Sequence, residues 1–222
     1  MDSALARGWM QHTASAMHRD RDLLTRLDSA IGDGDHGANM ARGFTAVQAG
    51  LARSGPVPSA PVAAPDDTDA PGEILLRAGN CLVSVVGGAS GPLFGGAFRA
   101  LGEALGSFPE VDARRFAAGL TAALAKIQQL GAAVPGDKTM IDAYAPAVGA
   151  FRAAAESGAA FATAAHAAAE AAEAGMRETV PLQARKGRAA YLGLRSIGHQ
   201  DPGATSTAAI FRSLAEASGP LR

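Results

Sequence analysis

Three carboxylates, Asp28, Asp33 and Asp35, crowd the stretch Leu27-Asp28-Ser29-Ala30-Ile31-Gly32-Asp33-Gly34-Asp35-His36-Gly37-Ala38-Asn39-Met40. Like charges at this density repel unless a cation offsets them, and hard carboxylate oxygens completed by phosphate oxygens suit Mg²⁺. Asp33 and Asp35 lie two apart, so in an extended loop both carboxylates face one side while Asp28 approaches from a helix end. Gly32, Gly34 and Gly37 permit close backbone approach to a phosphate. The chemistry expected is metal-assisted phosphoryl transfer, which needs positioning and charge neutralisation more than a covalent nucleophile. A lone Asp-Gly-Asp is usually a helix-capping surface turn, and here the whole motif outweighs that reading. An EF-hand is excluded: counting from Asp33, Ala38 stands where glycine is required and Phe44 where the final Glu belongs.

A second segment, Gly87-Gly88-Ala89-Ser90-Gly91-Pro92-Leu93-Phe94-Gly95-Gly96, runs into a helix whose first N–H groups face an anion. No Gly-Lys-Ser/Thr follows a strand, so P-loop and dinucleotide-binding readings fail. Ser90 lacks a His/Asp partner in sequence and reads as a cap or phosphate contact. Charge also comes from Gly136-Asp137-Lys138-Thr139-Met140 and from Arg185, Lys186 and Arg188. A guanidinium such as that of Arg188 can stabilise the charge of a transferring phosphoryl group, although a solvated basic loop has the same composition. His36, inside the acidic loop, can touch phosphate, orient a carboxylate or bond backbone. The other histidines lack metal-ligand spacing.

Helices must position these loops. Leu5, Trp9, Ala16, Leu23 and Leu27 mark a first helix over about 3–27, and Met40, Phe44, Val47 and Leu51 a second starting near Gly37. Apolar spacing gives further helices over Glu73–Val86, from Ser90, from Asp112 to Gly131 with Gly131 as the left-handed stop, over Thr139–Ala155, and over 159–179. The last starts at Asp201-Pro202-Gly203, with Asp as cap and Pro in the first turn. Period-two alternation is absent, so the expected fold is all-α with about eight helices. The Pro- and Ala-rich stretch near 54–71 buries too little apolar surface to order itself and reads as a loop insertion between helices.

With 222 residues and 48% hydrophobic content, a single domain over 1–222 is expected. A net charge of −1 provides no field for nucleic acid or an anionic membrane, and no apolar run is long enough to span one. The single cysteine, Cys81, reads as a buried inert thiol and suits a reducing cytoplasm.

Five blocks in order, the acidic loop, Gly-Gly-Ala-Ser-Gly-Pro-Leu-Phe-Gly, Gly-Asp-Lys-Thr-Met-Ile-Asp, Lys-Gly-Arg-Ala-Ala-Tyr-Leu-Gly and Asp-Pro-Gly-Ala-Thr-Ser, closely resemble the nucleotide-binding L subunit of dihydroxyacetone kinase. The resemblance implies an antiparallel barrel of eight amphipathic helices holding ADP or ATP in the loops at one end through two Mg²⁺ ions. It implies metal binding by Asp28, Asp33 and Asp35, and reaction at Asp33, Asp35 and Arg188. It implies nucleotide contacts from His36, Gly37, Ala38, Asn39, Ala89, Ser90, Gly131, Met140, Arg188, Asp201, Pro202 and Gly203. The implied partners are a dihydroxyacetone-binding K subunit and a phosphohistidine donor M subunit, with a transcription regulator as a further one. An ATP-exchanging subunit for another small sugar is the alternative. The nucleotide domain of fatty-acid kinases resembles the chain less, because the His36 position and the Asp-Pro-Gly ending favour the dihydroxyacetone branch.

Overall fold

The computed structural model describes residues 1–52 and 69–220, so most of the expected insertion at 54–71 lies outside the described residues. Nine α-helices and one 3-10 segment, and no strand, occur among them. In order they are α1 Ser3–Arg19, α2 Arg21–Ile31, α3 His36–Ala52, α4 Pro71–Val85, α5 Ser90–Leu105, α6 Ala113–Gly131, α7 Ile141–Glu156, α8 Phe161–Glu178 and α9 Pro202–Ser218. The 3-10 segment runs Arg188–Ser196. Each of α1, α3, α4, α5, α6, α7, α8 and α9 packs on the next, and α9 returns to α1, which closes a barrel of eight helices. The remaining helix, α2, packs on α3 and α9 at the end of the barrel that carries the acidic loop.

The single first helix expected over 3–27 is two helices. Asp20 leaves helical geometry at φ −94°, ψ 6°, its N–H still bonded to the carbonyl of Ala16. The break turns Leu24 into the core and leaves Leu23 exposed, the reverse of what one continuous stripe requires. It places α2 against α3: a Cβ on Gly37 would lie 2.0 Å from the carbonyl of Arg21 and 2.5 Å from Thr25 Oγ1, so α3 starts in direct contact with the first turn of α2.

An aromatic cluster fills the barrel, with Trp9 5.4 Å from Phe98 and 6.0 Å from Phe116, and Phe116 5.1 Å from both Phe151 and Phe161. The Trp9 indole N–H donates to the carbonyl of Ile210 at 2.9 Å, so its one polar atom is satisfied. Where helices approach most closely, side chains are missing. A Cβ on Gly79 would meet the Gly95 carbonyl at 2.6 Å, and one on Gly72 the Gly106 carbonyl at 2.3 Å, which places α4 and α5 antiparallel and almost backbone to backbone. The Ala-rich α8 follows the same logic. Pro146 inside α7 has no N–H for the carbonyl of Asp142, and Gly175 of α8 packs directly on that freed oxygen.

Candidate functional site

The acidic loop, the α4–α5 loop, the α6–α7 loop, the basic segment and the start of α9 converge on one cleft of about 410 Å³. Of the expected site residues, Asp28, Asp33, Asp35, His36, Ala89, Ser90, Gly131, Met140, Arg188, Asp201, Pro202 and Gly203 line it. Gly37, Ala38 and Asn39 do not. Gly37 is committed to contact with α2, and the Asn39 amide oxygen accepts from Arg42 Nη2 at 2.6 Å.

One carboxylate oxygen from each of Asp28, Asp33 and Asp35 lies within 4.8 Å of the others, close enough for one cation to bridge them. Asp28, on the last turn of α2, is buried, and its Oδ2 accepts the N–H groups of Asp35 at 2.9 Å and His36 at 3.1 Å. It thus caps α3 from a neighbouring helix. Two glycines of this loop are also required by the loop's own packing. A Cβ on Gly32 would strike Asp28 Oδ1 at 2.1 Å, and Gly34, at φ +77°, would strike Ser29 Oγ at 2.5 Å. They make room for the loop's own side chains, and Gly32 also lines the cleft.

Four α-helix N-termini border the cleft; that of α7 has its Ile141 N–H bonded to Thr139 Oγ1 at 3.2 Å. α3 is capped by Asp28, and α9 by Asp201, whose Oδ2 accepts the Ala204 N–H at 2.7 Å. α5 has no side-chain cap. Ser90 is its first residue and does not cap it; its hydroxyl instead meets His36 Nδ1 at 3.1 Å. The loop before it is open: a Cβ on Gly88, at φ +64°, would touch nothing within 4 Å. The uncapped N–H groups of α5 are therefore free to hold an anion.

His36 is buried and bonded to side chains at both ring nitrogens. Ser206 Oγ donates to the carbonyl of Pro202 at 3.0 Å, so it accepts from His36 Nε2 at 2.5 Å, which leaves Nδ1 to accept the Ser90 hydroxyl. Burial lowers the pKa of His36, with Asp28 and Asp35 opposing, and favours the neutral ring. In this arrangement His36 holds the Ser90 hydroxyl.

Arg188 reaches across the cleft to Asp33, and both side chains are partly or largely exposed. Such a pair contributes little to stability. Gly131, expected to be the left-handed stop of α6, stays helical and Ala132 takes the left-handed turn at φ 48°. A Cβ on Gly131 would lie 3.4 Å from Leu93, so the glycine narrows the gap to that side chain.

Sequence reasoning missed the apolar lining: Ile31, Leu93, Phe94, Ile127, Ala133 and Ile141 line the cleft beside the charges. On an amphipathic helix they are indistinguishable from core, and only the tertiary arrangement leaves one end of that stripe facing a cavity. Lys138 was expected to supply charge to a loop; it is buried, and its Nζ donates to backbone carbonyls of Thr179 and His199.

Asp201 is buried at the floor of the cleft, and burial pushes its carboxyl up to about 7 against the opposing pull of the Ala204 N–H and Lys138. A carboxyl raised in the folded state binds its proton more tightly than in the unfolded chain, so its contribution falls as pH rises from about 4 to about 7. His36, lowered by burial, works in the opposite direction over the upper part of that window. In urea unfolding without metal or nucleotide, Asp201→Asn is expected to gain stability relative to wild type with each step from pH 4.5 to 7. The gain is at most about 1.4 kcal/mol per pH unit. A pH-independent difference between the two proteins would contradict it.

Comparison with known proteins agrees with this architecture. The "PEP-dependent dihydroxyacetone kinase, ADP-binding subunit DhaL" of Escherichia coli is 40% identical over 207 residues, covering 93% of both chains. The corresponding subunit of kinase 1 of Listeria innocua is 38% identical and covers 96% of both. D-erythrulose kinase of Mycolicibacterium smegmatis is 35% identical, with 91% of this chain matching 33% of that protein. Among solved structures, the dihydroxyacetone kinase of C. freundii in complex with AMP-PNP and Mg²⁺ superposes with a TM-score of 0.71 at 27% identity over 96% of this chain. The chain spans 34% of that kinase's length. The model of the DAK2 domain matches residues 30–216, and the chain therefore belongs to the DAK2 domain family.

Proposed function

We propose that this chain is the ADP/ATP-binding L subunit of a dihydroxyacetone kinase. It holds a magnesium nucleotide and passes the terminal phosphoryl group to dihydroxyacetone, or a related ketose, bound on a K subunit. The observation that carries this reading is the meeting, in one cleft, of three clustered carboxylates and an uncapped helix N-terminus backed by an apolar wall.

The three clustered carboxylates fit Mg²⁺ and the cleft a nucleotide, and a pair of Mg²⁺ ions is part of the proposal. Asp28, Asp33 and Asp35 form a hard-oxygen donor set, and Asp28 is held in place by the two N–H groups it caps. The uncapped start of α5 suits phosphate oxygens, with Ser90 oriented toward them by neutral His36. Leu93, the half-buried member of the apolar lining, backed by the buried Ile127 and Ile141, offers apolar surface for the adenine ring. Arg188 brings the guanidinium that steadies charge on the transferring phosphoryl group. Bound Mg²⁺ supplies neutralisation of the phosphate oxygens.

Recharging by a phosphohistidine donor M subunit is part of the proposal. It is supported by relatives of matching length whose names carry PEP or PTS dependence. We place the protein in the cytoplasm, the compartment that a single cysteine suits. Among the described residues no helix is long and apolar enough to cross a membrane.

The test is to purify the protein without added nucleotide, denature it and analyse what is released. Stoichiometric ADP is the outcome expected of a retained cofactor, and an empty site that fills with ATP indicates an exchanging one. Failure to bind either nucleotide in the presence of Mg²⁺ rejects the assignment.

A further inference from the structure

Between α8 and α9 the chain leaves the barrel at Thr179 and returns near His199, and the intervening excursion carries Arg188. Its base is closed by hydrogen bonds. The Gly198 N–H donates to the Val180 carbonyl at 2.8 Å, and the Asp201 N–H to Thr179 Oγ1 at 3.0 Å. The Arg185 N–H donates to the carbonyl of Asp137 at 3.0 Å, which ties the excursion to the α6–α7 loop.

Lys138 sits at this junction and is 1% exposed. Its Nζ donates to the Thr179 carbonyl at 2.6 Å and to the His199 carbonyl, one at each end of the excursion. Its backbone is left-handed at φ 61°, a conformation that costs a side-chain-bearing residue about 1–2 kcal/mol. Burial of an amino group and an unfavourable backbone are two costs at one residue, and the two carbonyl bonds are what offsets them.

Arg188, by contrast, is held by little of its own. Its side chain is 62% exposed and, among the described residues, its one ion pair is with Asp33. A long exposed side chain goes where its backbone aims it, and that backbone belongs to the excursion whose two ends Lys138 joins.

We propose that Lys138 is a positioning residue: by bridging the carbonyls of Thr179 and His199 it closes the base of the excursion and sets Arg188 over the acidic loop. The proposal rests on the reading of Arg188 as the side chain that meets the nucleotide's phosphates.

The test compares wild type, Lys138→Met, Arg188→Ala and the double variant. Met keeps the length and the left-handed backbone cost and removes the donors. Two readouts are taken: hydrogen exchange of the amides over 182–198, and turnover in the reconstituted kinase. In Lys138→Met, exchange over 182–198 is expected to accelerate about tenfold or more while α4 and α5 stay unchanged. Turnover is expected to fall about tenfold, and the double variant to be no slower than Arg188→Ala alone, because both changes remove the same interaction. Unchanged exchange, or losses that multiply in the double variant, overturn the proposal. Should Lys138→Met fail to fold, Lys138→Gln, whose amide can serve one carbonyl, is measured by exchange under the same criterion. Absence of Mg-nucleotide binding by the wild type instead rejects the reading of the site, and the exchange comparison still decides whether Lys138 closes the excursion.

Discussion

Asp28→Ala is expected to lose both nucleotide binding and fold stability. The Asp28 carboxylate is the buried member of the acidic trio and accepts two N–H groups at the start of α3. Removing a carboxylate cap of this kind costs about 1–2 kcal/mol. Loss of a residue that merely supports a metal ligand weakens metal affinity about 10- to 100-fold, so loss of the ligand itself is expected to weaken Mg-dependent ADP binding at least about 100-fold. Asp28→Asn separates the two effects. The amide keeps one acceptor oxygen for the cap but not the charge, so it should recover at least half of the lost stability and little of the binding. Calorimetric titration with Mg-ADP and thermal unfolding of the metal-free protein measure the two quantities. Equal loss of stability in both variants would show that the cap is not what Asp28 supplies to the fold.

Asp33→Ala is expected to show the same loss of binding with the stability untouched. Asp33 is exposed, and its contact with Arg188 is an exposed ion pair of little energetic weight. The change in unfolding free energy should stay within about 0.5 kcal/mol, and helical content should be retained. Metal-dependent ADP binding, by contrast, should drop below detection at concentrations that saturate the wild type. If Asp33→Ala still binds ADP in a Mg-dependent manner, the acidic loop is not the metal site and the assignment of the cleft fails. The two aspartates thus make a matched pair. They carry the same expected function, and burial alone decides which of them the fold also depends on.

The excursion over 180–200 explains why the two sides of the site differ in kind. The acidic side is built on helix ends and capped amides, which hold Asp28 to fixed partners. The basic side is a 3-10 segment with a kink at Gly193, φ 56°, and several exposed side chains, Tyr191 and Leu194 among them. A charge on a helix end is positioned by local geometry, whereas one on an irregular segment depends on what anchors that segment. Lys138 is where that anchoring concentrates.

Much of this was legible along the chain. Apolar spacing marks the barrel helices because one face of each must be buried, and Asp112 and Asp201 act as caps because a carboxylate one position before a helix finds unbonded N–H groups there. The acidic loop was visible for the same local reason, since three carboxylates within eight residues have few neutral explanations. Tertiary structure decided the rest. The break at Asp20 goes with the close contact of α3 on α2, and His36 is paired by Ser90 and by Ser206, which lies 170 residues away. Helical periodicity contains the apolar wall and the Gly-Asp-Lys-Thr-Met block contains Lys138, but neither says that the one meets a cavity or that the other bridges two carbonyls. Whether a Leu faces core or cavity, and which carbonyl a buried ammonium meets, is set by the chain segments that close around it, and sequence spacing encodes only neighbours on the same helix.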